Sequence, residues 1–423
     1  MGKHPLSHTA LVRTVFVSMA CMLFFISCAT VQAKKITEVK VGYILPLTGP
    51  ASQAGIQNQK ACELATGYIN AAGGIKSLGG VKLVNVWENS RGEPAFGVTA
   101  AEKLIKTDKV SIISGAWNSA VTYPTTQTAE QSGIPYIVPV SVRDTITERD
   151  FKYTFRIAAK DSWRNRDQFR FLEEMSKASK TKIGTCAFVY ESGGWGTAMK
   201  DQWTKLVGQF GYKVVLAEPY ASTSADLIET VVKIKNAQPD VIMLASMTSD
   251  AVLLAKSMAV LNVKAKAIIA TGAGHASQAF MKGAGRNCEY IFDVSEWEPD
   301  INRPGIEELR VDYKKKYGSD FTAETVDAFA SVYVIADALE RAGSDNPQKI
   351  RSALSDTNLC RGKGKKGIDI LPYDCVEFDR SGQNKNARFV MVQFRKIKGT
   401  MERVTVWPSD IARKGFKPVF PMP

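Results

Sequence analysis

Histidine is scarce in this chain, and so are the residue patterns of catalytic and metal sites. Only three histidines occur in 423 residues. His4 and His8 precede an apolar N-terminal stretch, which leaves His275 in the body of the chain. No cysteine pair has metal-ligand spacing, and no Gly-x-Ser-x-Gly nucleophile elbow occurs. We therefore expect a protein that is not an enzyme, with no catalytic residue, no metal and no cofactor.

Long apolar runs are absent except for one near the N-terminus. Leu11 to Cys28 is almost wholly apolar, and Val31-Gln32-Ala33 after it has the small-residue spacing of a leader-peptidase site. Residues 1–33 are therefore predicted to be a signal peptide, so that the mature chain acts outside the cytoplasm. An imperfect lipoprotein box that ends at Cys28 leaves a lipid anchor open as an alternative.

Low-complexity tracts are absent as well, and positive charge is not concentrated in one stripe. The net charge is +13, with 45% hydrophobic and 23% charged residues, which is a globular composition. Export and the scattering of the lysines argue against nucleic acid as a partner. The roughly 390 residues after the signal are too many for one ordinary core and enough for two lobes.

Five cysteines follow the predicted signal, and two of them bracket a Gly/Lys-rich loop. An oxidising compartment makes Cys360 and Cys375 the plausible disulfide. Closing this loop of about 15 residues would stabilise the fold by roughly 3 kcal/mol in the chain-entropy model. Cys62, Cys186 and Cys288 lie in apolar contexts, where we expect buried free thiols.

Strand and helix patterns alternate twice along the chain. A first series begins at Val39 to Leu47, and a second, with the same rhythm, begins after Phe155. This alternation predicts an α/β fold of two doubly wound lobes, with a ligand cleft between them. The tail differs: helices that complete the first lobe are followed by a hairpin from Cys375 to Gln393 that turns at Ser381-Gly382.

The loop after the strand at Val110 to Ser114 is the first candidate binding element. It contains Trp117, Asn118 and Ser119 and leads into a helix, whose amino end presents unpaired backbone N–H groups to a small electron-rich ligand. The hydroxyl and N–H of Ser119 could both face that crevice. The alternative is that Ser119 only caps its helix.

Several segments together resemble the periplasmic solute-binding proteins of branched-chain amino-acid type ABC transporters. They occur in order along the mature chain: VGYILPLTGPASQAG, YINAAGGI, SGAWNSAVTYP, SGIPYIVP, YESGGWGTAMKD, DVIMLAS and KPVFPMP. The resemblance implies a type I periplasmic-binding fold, in which two α/β lobes joined by a three-strand hinge close on a solute. It places lobe 1 at 36–158 plus 296–388, and lobe 2 at 159–295 plus 389–423.

The resemblance also implies a location and partners. The protein would work in the periplasm and deliver a small-molecule solute to the permease and ATPase subunits of its transporter. We expect a monomer, since nothing in the sequence requires an oligomer. A ligand-sensing subunit of a receptor or of an amide-type regulator is the alternative, because the same fold serves there.

Ligand residues carry over from the family position by position. Ser119 falls where the family holds a ligand carboxylate, and Ser141 and Val142 fall at the next contacts, although valine offers no hydroxyl. Amino-acid binders usually have an aromatic residue in the loop before the first helix, another after the DVIMLAS strand, and an acid after the next strand that neutralises the ligand's ammonium. At these places this chain has Ala54, Met247 and Gly272. A buried ammonium without a counter-charge is costly. An apolar or aromatic carboxylate is therefore favoured over a free branched-chain amino acid.

Two indoles and one imidazole complete the candidate binding residues. Trp195, in the predicted loop from Glu191 to Gly196, falls at the family's aromatic lid of the second lobe. Trp117 precedes Ser119 by two residues, so that the two rings could sandwich a flat ligand. Packing within the protein is the alternative for each. His275 could donate to a ligand, although a solvated loop histidine is the interpretation we favour.

Overall fold

A computed structural model gives the fold of Met1, Gly2 and residues 36–362 and 366–423. Most of the predicted signal peptide, including Cys28, lies outside the described residues. The chain divides into Met1–Thr37 and Glu38–Pro423, and the second unit contains every element described below. Within the described part of the chain, no helix combines the length and apolarity needed to cross a bilayer.

A five-stranded parallel sheet forms the first half of the architecture. Its strands occur in the order β2-β1-β3-β4-β5. Their bounds are β1 Glu38–Leu45, β2 Lys82–Asn89, β3 Ile112–Gly115, β4 Tyr136–Val138 and β5 Thr154–Arg156. The sequence is apolar on β3 and β4 because both faces of these strands are covered, as is usual in parallel sheets.

A seven-stranded sheet forms the second half. Its order is β14-β13-β10-β9-β8-β6-β7, and β6 to β10 are parallel while β13 and β14 pair antiparallel at one edge. The bounds are β6 Thr185–Glu191, β7 Lys213–Tyr220, β8 Val241–Ala245, β9 Ala267–Ala270, β10 Phe292–Ser295, β13 Val390–Ile397 and β14 Thr400–Trp407. Two short strands, β11 Asn358–Cys360 and β12 Cys375–Glu377, form a separate antiparallel pair.

Helices cover the sheets, and one of the two longest comes from late in the chain. In chain order they are α1 Ser52–Ala71, α2 Pro94–Lys103, α3 Ser119–Ser132, α4 Asp161–Ser179, α5 Gly194–Val207, α6 Ile228–Ala237, α7 Thr248–Val260, α8 Gln278–Ala284, α9 Ile306–Tyr317, α10 Ala323–Ala342, α11 Pro347–Ser355 and α12 Lys366–Asp369. Helix α10 packs against α1, so this late segment completes the core of the first half.

The chain passes between the two sheets three times, and the first and third of these passages contact each other. Gln383 pairs with Arg156 at the end of β5, and the side-chain amides of Gln383 and Asn384 donate to the carbonyls of Ala158 and Ile157 at 2.8 and 3.1 Å. The first and third passages therefore lie side by side. Where one lobe ends and the other begins, at residues 158, 296 and 388, stays a prediction.

The tail differs from its prediction in one respect. Cys375 is joined to Cys360 by a disulfide, and Cys375–Glu377 pairs with Asn358–Cys360 rather than with the residues that follow it. The main hairpin is β13–β14, which turns at Lys398 and Gly399. The prediction of a hairpin over Cys375 to Gln393 was wrong in extent, because pairing across the Ser381-Gly382 turn is confined to the residues from Glu377 to Lys385.

Candidate functional site

The loop after β3 depends on a glycine. Gly115 has φ 145°, and a Cβ on it would lie 2.3 Å from the carbonyl oxygen of Ile44 on β1. Any side chain there would force the two strands apart. The chain then turns through Trp117, which has φ 68°, and enters helix α3. The local sequence thereby fixes where Trp117, Asn118 and Ser119 lie.

Ser119 is the first residue of helix α3, and Asn118 occupies the N-cap position. The alternative that Ser119 caps the helix is therefore wrong. Its half-buried hydroxyl instead accepts a hydrogen bond from the backbone N–H of Arg143 at 3.3 Å. The Oδ1 atom of Asn118 is buried and has no hydrogen-bond partner. Both side chains thus stand at the helix amino end with hydrogen-bonding capacity to spare.

Ser141 holds the loop in place with its hydroxyl. It is 2% exposed, donates to the carbonyl of Trp117 at 2.8 Å and shares a 2.6 Å hydrogen bond with Thr122 Oγ1. The neighbouring Val142 is half-buried, and its carbonyl accepts from Asp161 N–H at 2.9 Å. The structure therefore brings together five of the predicted residues, which we call the first-sheet group: Trp117, Asn118, Ser119, Ser141 and Val142.

Arg156, which the sequence analysis did not single out, supports the first-sheet group from behind. It is fully buried at the end of β5, and its guanidinium donates to Gln383 Oε1 at 2.6 Å, to the Arg143 carbonyl at 2.6 Å and to the Ser141 carbonyl at 3.3 Å. Burial lowers the pKa of Arg156 to about 10. The feature of the sequence that could have identified Arg156 is a charged residue inside an apolar run.

The predicted residues on the other half, the second-sheet group, are Trp195, Met247, Gly272 and His275. Met247 and Gly272 follow the carboxyl ends of β8 and β9, and Gly274 N–H donates to the Ser246 carbonyl, which joins their two loops. Trp195 is half-buried in the first turn of α5, not in the loop where the sequence analysis put it. Ala54 lies inside α1 rather than in a loop before it.

His275 is buried, which contradicts our preference for a solvated loop histidine. It is 1% exposed, its ring packs edge-on against Phe280 at 4.7 Å, and neither ring nitrogen has a hydrogen-bond partner. Burial lowers its pKa to about 4, so the ring is neutral at pH 7. Phe280, in the following helix α8, is buried, and its contact with His275 places the loop in the interior. The Gly/Ala/Ser-rich sequence of the loop does not indicate this burial.

Carboxylates also lie at this site, and the sequence analysis missed them. Trp117 Nε1 donates to Glu324 Oε2 at 2.9 Å. Burial raises the pKa of Glu324, and the hydrogen bond from Trp117 offsets part of that rise. Burial also raises the pKa of Asp327, one turn along α10, and the charges of Glu296 and Glu324 raise it further. These acids come from a segment about 200 residues after Trp117, so no local pattern marked them.

Arg164 stands between the two groups and contacts several passages of the chain. It pairs with Asp161 at 3.3 Å and with Glu296 at 3.0 Å, and its guanidinium lies 4.6 Å from the ring centre of Phe389. A Cβ placed on Gly272 would be 3.3 Å from Arg164 Nη1. The space over Gly272 is therefore next to a cation.

Comparisons with known proteins agree with this architecture. The family model described as periplasmic binding protein matches residues 38–372. The chain belongs to this family. Leu/Ile/Val-binding protein homolog 7 of Brucella abortus (strain 2308) is 28% identical over 407 residues, which covers 92% of this chain and 97% of that protein.

Solved structures share the fold at lower identity. A leucine binding protein from Thermotoga maritima MSB8 is similar with a TM-score of 0.63 and 20% identity, over 88% of this chain and 99% of that one. An ABC-transporter solute binding protein from Rhodopseudomonas palustris BisB5, in complex with 3,4-dihydroxy benzoic acid, has a TM-score of 0.63 and 17% identity, over 88% and 96% of the two chains. The fold is thus the type I periplasmic-binding fold, and the family is one of solute-binding proteins rather than enzymes.

Proposed function

We propose that this protein captures an apolar or aromatic carboxylate outside the cytoplasm and delivers it to the permease of an ABC transporter. The solute first meets the first-sheet group, and closure about the three passages brings the second-sheet group onto it. A solute shifts this equilibrium only by its higher affinity for the closed form. Family membership supports the solute-binding part of the proposal.

The observation that carries the ligand class is Arg164 beside Gly272. Amino-acid binders are expected to place an acid at this position, facing the ligand's ammonium, whereas here a guanidinium nitrogen lies within 3.3 Å of where a Cβ would be. Arg164 already pairs with Asp161 and Glu296, and its Nη1 atom next to Gly272 suits a carboxylate or carbonyl oxygen better than an ammonium. The amino end of α3, with Ser119, offers further donors to an acceptor group.

The Rhodopseudomonas palustris neighbour, described in complex with 3,4-dihydroxy benzoic acid, supports an aromatic acid as the solute. Trp117 supports it too, because its half-buried indole stands next to Ser119 and offers a flat surface for an aromatic body. Trp195 stays the proposed lid on the opposite side.

A branched-chain amino acid is the second candidate, and Glu324 and Asp327 favour it. Two carboxylates, one of them hydrogen-bonded to Trp117, could neutralise an ammonium in place of the acid missing at Gly272. The names of the Brucella abortus relative and the Thermotoga maritima neighbour point the same way. Only the amino acid carries an amine, and this makes the two candidates separable.

Thermal unfolding against matched solutes tests the proposal. Benzoate, 3,4-dihydroxybenzoate, leucine and isoleucine are compared, and a solute at a hundred times its Kd should stabilise the protein by about 2.7 kcal/mol. We expect a benzoate to raise Tm and the amino acids to leave it unchanged. Stabilisation by leucine alone would refute the ligand class and keep the solute-binding function.

Glu324→Gln distinguishes the two candidates a second time. It keeps an acceptor for Trp117 but removes the charge, so affinity for a carboxylate without an amine should stay or rise. Affinity for an amino acid should instead fall by about tenfold or more, as expected for a lost charge-assisted hydrogen bond. Ser119→Ala is the matched variant, and it should weaken both classes.

Delivery to a permease is separated from ligand sensing by a coupled assay. The cognate permease and ATPase subunits in proteoliposomes should hydrolyse ATP faster when the liganded protein is added. A protein that binds its solute tightly but leaves ATP hydrolysis unchanged, and instead alters a receptor or regulator, would support the sensing alternative.

A further inference from the structure

A groove with no part in solute binding lies beside β5. It has a volume of about 380 Å³ and is lined by β5, α11 and the turn at Asp379 to Gly382. Strand β5 runs from Thr154, which lines the groove, to Arg156, which supports the first-sheet group. The groove therefore lies toward the amino end of the strand, away from the candidate site.

Three cations line this groove without ion-pair partners. Lys152, Arg351 and Arg380 form no salt bridge with any described residue, although Arg351 Nε donates to the Lys152 carbonyl at 3.0 Å. Asp379 is the one acid in the lining, and its Oδ1 already accepts from the N–H and hydroxyl of Ser381 at 2.8 and 2.6 Å. Positive charge is thus in excess and open to an anion.

A buried hydroxyl in the lining is also without a partner. Thr154 is 1% exposed, and its Oγ1 forms no hydrogen bond. Beside it the rings of Phe155 and Phe378 pack 5.2 Å apart. An unpaired buried hydroxyl is costly, so Thr154 leaves hydrogen-bonding capacity unused next to the three cations.

We infer that this groove binds a phosphate-type anion, with Lys152, Arg351 and Arg380 as its charged contacts. Each guanidinium can donate two parallel hydrogen bonds to a pair of phosphate oxygens. The charges of two arginines and a lysine suit a dianion better than they suit a monovalent carboxylate. Free phosphate and the headgroup of an anionic lipid present the same chemistry. Solute capture does not depend on this groove, so the two proposals stand or fall separately.

Calorimetric titration with sodium phosphate, at constant ionic strength against chloride, tests the inference. We expect the double variant Arg351→Gln/Arg380→Gln to weaken phosphate binding by about a hundredfold, at roughly tenfold for each charge-assisted contact. Lys235→Gln, which removes an exposed cation without an ion pair on α6, is the matched control and should leave binding unchanged. Thr154→Val should reduce affinity without unfolding the protein.

Flotation with vesicles separates the two sources of phosphate. Binding to phosphatidylglycerol vesicles, but not to phosphatidylcholine vesicles, with loss in the double variant, identifies a lipid headgroup. Calorimetric phosphate binding without flotation identifies a free phosphate. The inference is overturned if the protein binds neither, or if the double variant and Lys235→Gln bind equally well.

Discussion

Each half of the molecule has a buried arginine behind its candidate binding residues, and the two are held in opposite ways. Arg156 supports the first-sheet group through neutral acceptors only: carbonyls, Gln383 and Thr147. Arg403 lies behind His275, where it pairs with Asp293 at 2.6 Å and Glu298 at 2.7 Å and donates to the His275 carbonyl at 3.3 Å.

The difference shows in the protonation of the two guanidiniums. Burial lowers the pKa of Arg156 to about 10, because it outweighs the opposing charges of Asp144, Glu148, Asp161 and Asp379. Burial also acts to lower the pKa of Arg403, but the charges of Glu298 and Asp293 outweigh it, so that this pKa is raised. Arg156 is thus a hydrogen-bond donor that orders a loop and whose burial costs free energy. Arg403, Asp293 and Glu298 instead form a set of charges that stabilise one another.

Arg403→Met should give the largest loss of stability. It leaves Asp293, which is fully buried, without its cation, and removing one partner of a buried pair costs about 3–5 kcal/mol. Urea unfolding followed by circular dichroism measures this free energy. The double variant Arg403→Met/Asp293→Asn should recover a large part of the loss, and no recovery would mean that packing rather than charge is at stake.

Acid should destabilise the second half through His275. Its pKa is 6.5 in the unfolded chain and about 4 in the folded protein, so the unfolded state binds the proton first. The part of the free energy of unfolding that depends on a neutral His275 is fully present above pH 6.5. It is lost as the pH falls toward 4, by on the order of 3 kcal/mol.

The ring is measurable because His275 is the one histidine after the predicted signal peptide. Its NMR resonances should titrate near pH 4, and a midpoint near 6.5 would contradict its burial. His275→Leu removes two unpartnered nitrogens, so it should be neutral or stabilising at pH 7 and should flatten the acid dependence of stability.

Arg156→Met should cost less than Arg403→Met, at about 2 kcal/mol, because it strands carbonyls and an amide rather than a charge. Hydrogen exchange should rise in the segment from Ser141 to Thr147, which Arg156 holds at both ends. A loss as large as that of Arg403→Met, with no change in exchange there, would contradict the contrast between the two arginines.

Two serines of the first-sheet group provide the smallest and sharpest comparison. Ser141→Ala breaks the buried hydrogen bond to the Trp117 carbonyl and should cost about 1 kcal/mol of stability. Ser119→Ala, at a half-buried hydroxyl with one 3.3 Å contact, should change stability by less than about 0.5 kcal/mol and instead weaken solute binding. The reverse pattern would exchange the structural and ligand-binding roles of the two serines.

The local sequence predicted the structure best at positions where the fold requires one particular residue type. The break at Gly115 and the following Trp117, Asn118 and Ser119 indicated a candidate binding loop, and the structure accounts for that glycine by the approach of Ile44. The spacing of Cys360 and Cys375 likewise indicated the disulfide present in the structure. Trp195 and Ala54, whose positions depend on helix boundaries, were placed less well.

The alternation of apolar strands and helices determined by itself that the chain forms two α/β halves built mainly on parallel strands, because that pattern buries both faces of each sheet. Only the tertiary structure decided what surrounds the candidate site. It brought Glu324 to Trp117, Arg164 to Gly272 and Arg156 behind Ser141. Charged side chains contact partners from distant segments of the chain. Periodicity within one segment therefore cannot predict which distant residue will neutralise a charge.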